Sequence, residues 1–149
     1  MCFEWGDAAP RAVHQVENTA VAAYESGLFY KRELPCLLHA LNCLDLATIA
    51  CIVIDGHVYI DADKTYGLGG HLWAALGEKI PVIGVAKRPF HATEAVTIAI
   101  TRGGSLTPLY ISAIGTDLAA AAHRIQTMHG PYRVPTMLKI ADTLTRQDF

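Results

Sequence analysis

The chain has 149 residues, 52% of them hydrophobic and 17% charged, with a formal net charge of −2. That describes one domain able to bury an ordinary core without disulfide or metal staples, and it is not the balance of a strong nonspecific polyanion binder. No apolar run is long enough to cross a bilayer, and the opening MCFEWGDAAPRA lacks the basic start and apolar centre of a signal peptide, so a cytoplasmic protein without membrane contact is expected.

In chain order, RAVHQVENTAVA (11–22) alternates weakly and predicts an edge or near-edge strand. ELPCLLHALNCLDL (33–46) has apolar residues at 34, 37, 38, 41 and 44, the spacing of a helical face, with Pro35 in the first turn. IACIVIDGH (49–57) is an apolar run that stops at Asp55, Gly56 and His57. Such a run reads as a central strand, here 49–54, in a sheet covered on both faces. The carboxyl ends of these strands open into a crevice where α/β sheets place their chemistry. Gly56 lets the chain turn sharply there. Asp55 suits either a turn capped through its own backbone or a place in the crevice. GGHLWAALGEK (69–79) predicts a helix and IPVIGVAK (80–87) a second continuous apolar strand. VTIAITRGGSLTPLYISAI (96–114) predicts a hairpin turning at Arg102–Ser105. TDLAAAAHRIQTMH (116–129) predicts a helix with Thr116 or Gly115 near its cap, and a last helix follows Pro135, from about Thr136 to Arg146. Two parallel crossings followed by an antiparallel pair make a mixed α/β sheet flanked by helices, in a single domain over 1–149.

Cys2, Cys36, Cys43 and Cys51 show no paired metal spacing, and the last three lie in apolar context as small buried hydrophobes. Charge is segregated: residues 1–78 carry four basic and ten acidic side chains, residues 79–149 eight and four. An acidic half beside a basic one suits a cation site next to a polyanion, and equally a solvated surface.

Taken in order, YESGLFYKRELP, VIDGH, IPVIGVAK, GGSLTPLYISAIG and GPYRVPTMLKIAD resemble the motif series of the endonuclease V family over roughly residues 20–146. The resemblance implies a ribonuclease-H-like fold that uses Mg²⁺, with Mn²⁺ as a substitute, to cut DNA or RNA near inosine. It implies metal-binding roles for Glu33, Asp55 and Asp142, with Glu33, Asp55 and Lys87 catalytic. Lys87 would lie beside the reacting phosphate, and Tyr24 would be the wedge tyrosine, with Gly56 also at the substrate. The chemistry is coherent: Mg²⁺ takes hard oxygen ligands from converging carboxylates, and a nearby lysine steadies phosphate charge. As single residues, Lys87 equally suits a solvated strand end, Tyr24 a packing position and Asp142 an exposed helix surface.

The departures bear on activity. The family places a further metal-binding aspartate on a first strand, and only 32 residues precede Glu33, so the first β-hairpin is expected to be lacking. Glu25 and Ser26 replace the wedge's apolar residue and proline, and Thr136–Lys139 replace Glu-Pro-Thr-Arg. Two readings follow. One is a metal-dependent phosphodiesterase acting on inosine-containing or distorted nucleic acid, weak or inactive as this chain alone. The other is an inactive relative that binds nucleic acid or protein. In either, a second copy or a partner chain is expected to complete the sheet, with 11–22 lying beside the central strand or pairing with another chain. The Glu33 and Asp55 carboxylates are expected to approach closely enough to share a cation.

Overall fold

Two continuous apolar runs frame the sheet. They form β1 (Ile52–Asp55) and β2 (Val82–Ala86), parallel, with Ile52 opposite Val82 and Asp55 opposite Val85. The 96–114 segment forms the expected hairpin, β3 (Ile98–Ile100) and β4 (Leu109–Ile114). β4 also pairs antiparallel with β2, so the order is β1-β2-β4-β3 and the sheet is mixed. This computed structural model describes residues 1–17, 29–90 and 92–147. Among them, four α-helices cover the sheet: α1 (Phe29–Leu41), α2 (Leu68–Ala75), α3 (Leu118–Gln126) and α4 (Thr136–Thr145). Among the described residues no helix is long and apolar enough to cross a membrane.

Strand alternation sorts the core into two layers. Ile54, Val82 and Ile114 face the α1 and α2 side, where Leu34, Leu37, Leu38, Leu72 and Trp73 pack. Val53, Ile83, Val85 and Ile111 face the other side, against Ala121, Ala122, Ile125 and Met137 of α3 and α4. All five residues of β2 are buried, as a strand covered on both faces must be.

Between β1 and α2 the chain crosses the sheet at Gly84. A Cβ there would stand 2.5 Å from the Gly56 carbonyl oxygen and 2.6 Å from Ser112 Oγ. Ser112, opposite Gly84 in register, accepts the Val58 N–H at 3.0 Å. Glycine in β2 is thus the opening through which the strand-end segment lies flat on the sheet.

Several expectations need correction. Residues 11–17 form no strand; they carry one isolated bridge, Cys2 to Ala12. Residues 18–22 lie outside the described residues. The amino-terminal segment folds back on itself, held by the Arg11–Asp7 ion pair at 2.9 Å. Its Met1, Phe3 and Trp5 find cover on the α3 and α4 side. Among the described residues the second parallel crossing is not formed and β1 is an edge strand. α1 occupies Phe29–Leu41 rather than 33–46, leaving Pro35 inside it. The chain leaves helix after Leu41, and Asp45 then caps a 3₁₀ turn at Leu46–Thr48 by accepting the Ala47 N–H. The cap of α3 is Asp117, whose side chain accepts from Ala120 N at 2.9 Å. Cys43 is exposed, and Cys36 and Cys51 are half-buried. Burial still pushes the Cys51 thiol up to about 11.

Candidate nucleic-acid site

The carboxyl ends of β1 and β2 lie side by side and present Asp55 and Lys87. Asp55 closes β1 and is exposed. It lies two residues after Val53, which packs on the α3 and α4 side, so its side chain belongs to that face. Lys87 follows β2 directly and reaches α4, where its Nζ lies 3.7 Å from Asp142 Oδ2. Arg146 pairs with the same oxygen at 3.1 Å. The carboxylate of Asp142 therefore sits between two cations, each partly exposed, an arrangement that positions Lys87 more than it stabilises the fold.

The backbone around these side chains is tied down. Gly56, half-buried, donates its N–H to Val85 O at 3.1 Å, extending the β1–β2 ladder by one bond. Arg133 donates to Lys87 O at 2.8 Å, Pro108 O at 2.8 Å and Thr107 O at 3.0 Å, joining the approach to α4 with the end of β2 and the hairpin. His57 is buried, and its Nε2 lies 2.9 Å from Arg88 O. A carbonyl accepts, so Nε2 carries the proton and the buried Nδ1 is left without a partner. Burial pushes the His57 pKa down, so the imidazole holds the turn after Lys87 in its neutral form.

Arg102 is the other anchor, and residue patterning alone does not single it out beyond a turn position. It is 7% exposed, in the hairpin turn, and donates to the carbonyls of Gln126, Met128, Gly130, Tyr132 and Arg133 at 2.6–3.4 Å. These bonds order the connection between α3 and α4. The result is an open cleft of about 440 Å³ lined by Lys87, Gly103, Ser105, Tyr132, Arg133, Val134, Lys139 and Asp142. Only Lys87 and Asp142 of that lining are among the expected site residues.

The remaining expected residues are placed as follows. Glu33 is half-buried on α1, one turn from Tyr30 and Leu37, which pack into the cluster on the opposite face of the sheet from α4. Tyr24 lies outside the described residues. The implied metal set does not fit: among the described residues no three His, Cys, Asp or Glu side chains stand close enough together to hold a metal ion. Asp142 is already engaged by Lys87 and Arg146.

Similarity to known proteins runs with this geometry. The endonuclease V family model matches residues 3–100, two thirds of the chain. This chain belongs to the endonuclease V family. The Streptomyces avermitilis endonuclease V structure is 32% identical, with a TM-score of 0.61, over 83% of this chain and 61% of that one. The Bacillus subtilis structure is 22% identical, with a TM-score of 0.65, over 84% and 61%. Ciona intestinalis endonuclease V, in complex with a 24-mer DNA containing an inosine, is 18% identical, with a TM-score of 0.66, over 84% and 66%. The chain therefore spans about three fifths of the first two structures, and it shares their ribonuclease-H-like α/β fold. No curated protein sequence matches it.

Proposed function

We propose that this chain binds nucleic acid at the Lys87–Asp142 cleft and is an endonuclease V-like phosphodiesterase of inosine-containing or distorted DNA or RNA whose cleavage, by this chain alone, is weak or absent. The observation that carries the reading is the Lys87–Asp142 pair at 3.7 Å beside the carboxyl end of β1, where Asp55 belongs to the same face of the sheet. Lys87, partly exposed, can meet a phosphate oxygen and offset its charge. Asp55 can orient a water by accepting its hydrogen bond. With Asp142 paired and Glu33 borne by the opposite layer, Mg²⁺ or Mn²⁺ would be held weakly, which is why turnover is expected to be low. The edge of β1 can take a further strand from a second copy or a partner chain.

The test is incubation of a single-inosine oligonucleotide with Mg²⁺ or Mn²⁺, alongside the Asp55→Ala and Lys87→Ala variants. The expected result is binding weakened by Lys87→Ala, with cleavage weak or undetectable. Robust cleavage abolished by Asp55→Ala would show that the open metal set is no handicap. The second reading, an inactive binding relative, draws on the same open set and predicts no Asp55-dependent cleavage under any condition. Failure of the unmodified chain to bind any oligonucleotide defeats both.

A further inference from the structure

We propose that Tyr132 is a stacking platform for an unpaired base at the rim of the cleft, so that this surface takes single-stranded rather than fully paired nucleic acid. The inference rests on the nucleic-acid reading above and names its substrate class. Tyr132 is 64% exposed, yet its backbone is held on two sides. Its carbonyl accepts from Arg102 Nη1 at 2.6 Å, and the next residue, Arg133, is anchored on three carbonyls. Gly103 packs so closely beneath that a Cβ there would fall 2.7 Å from Tyr132 Cα. The ring is thus an apolar surface held out into solvent from a rigid mount, and the core clusters do not include it.

Its neighbours are cations. Lys139 Nζ lies over the Tyr132 ring, 5.3 Å from the centroid, and lines the same cleft as Lys87 and Ser105. Lys139 covers part of the ring and leaves most of its surface open. The one carboxylate in the cleft lining, Asp142, is offset by Lys87 and Arg146. A flat aromatic beside lysines that can follow phosphates is the chemistry of single-strand recognition. In a duplex the base faces are already stacked, so an exposed ring has nothing to cover.

Fluorescence anisotropy with a labelled single strand of about 15 nucleotides, and with the same sequence as a duplex, tests this. Tyr132→Ala is expected to weaken single-strand binding roughly tenfold or more and to leave duplex binding little changed. Tyr132→Phe should retain single-strand affinity, because the ring and not the hydroxyl stacks. Lys139→Gln should flatten the salt dependence by about 0.7 in slope, the share of one phosphate contact on a single strand. If Tyr132→Ala leaves single-strand affinity unchanged, or weakens the duplex equally, the platform is overturned while Lys87-dependent binding still sustains the function proposed above. If the unmodified chain binds neither oligonucleotide, both fall.

Discussion

His57 shows how one side chain ties the chemistry of the strand ends to pH. Its Nε2–H is committed to Arg88 O, and its Nδ1 is buried with nothing to accept a second proton's hydrogen bond. Its pKa lies below the ordinary 6.5 because burial disfavours the charged ring. Below pH 6.5 the unfolded chain therefore takes up a proton that the folded one resists, and stability falls as pH falls. Above it both states are neutral and the contribution is flat. His71, stacked on Tyr30 at 3.6 Å, is shifted in the same direction by burial. Denaturant unfolding at a series of pH values should show stability lost below about pH 6.5, at most about 1.4 kcal/mol per pH unit for His57. His57→Gln should flatten that slope; an unchanged slope would mean that the ring does not resist the proton. In sequence, His57 was legible only as a neighbour of Asp55, because a lone histidine carries no sign of what its two nitrogens meet. The ordered motifs singled out Lys87 and Asp142, which pair in the structure, whereas Arg102 and Arg133 act on backbone carbonyls, which leave no partner residue to find in a pattern.

At the scale of elements, the strands covered on both faces were the most readable. A run such as IPVIGVAK has nowhere to place its side chains except between two layers, and β2 is buried throughout. Its glycine is the informative position. Gly84→Ala should destabilise by about 1–3 kcal/mol, because the new methyl must push aside the Gly56 carbonyl and Ser112 Oγ. A lowered urea midpoint at constant m-value checks this, and an unchanged midpoint would show that the crossing segment has slack. Since Gly56 adjoins Asp55, the same variant should also disturb the site. The weak alternation of 11–22 was less reliable. Apolar periodicity records which residues seek cover, not which surface supplies it. Met1, Phe3 and Trp5 take cover against the α3 and α4 layer, with Arg124 5.6 Å from the Trp5 ring centroid. The bounds of α1 were missed for a related reason: Pro35 is favoured in a first turn, but packing of Tyr30, Leu34 and Leu37 holds the helix through it.

At the scale of the whole molecule, the segregation of charge along the chain becomes spatial. Every cation lining the cleft, Lys87, Arg133 and Lys139, comes from the basic second half, while Glu33 of the acidic half stands in the layer across the sheet. The motif order could identify the fold because it samples strands, hairpin and last helix in turn; it could not say whether three carboxylates close on one point. The cleft is assembled from the ends of β2 and α4, the hairpin turn and the α3–α4 connection. That connection has no ladder of its own, and four of its carbonyls, with that of Gln126 at the end of α3, rest on Arg102. Arg102→Met should strand those acceptors and cost several kcal/mol. In limited proteolysis of Arg102→Met, the connection between Met128 and Arg133 should be cut while β2 remains folded; no cleavage there ahead of global unfolding would show that the connection holds itself. The segment and the hairpin turn are thus expected to open together, since both are held by the same side chain. A substitution at Arg102, which does not line the cleft, is therefore expected to blunt nucleic-acid binding by loosening the floor beneath Tyr132 and Arg133 rather than by removing a contact to phosphate.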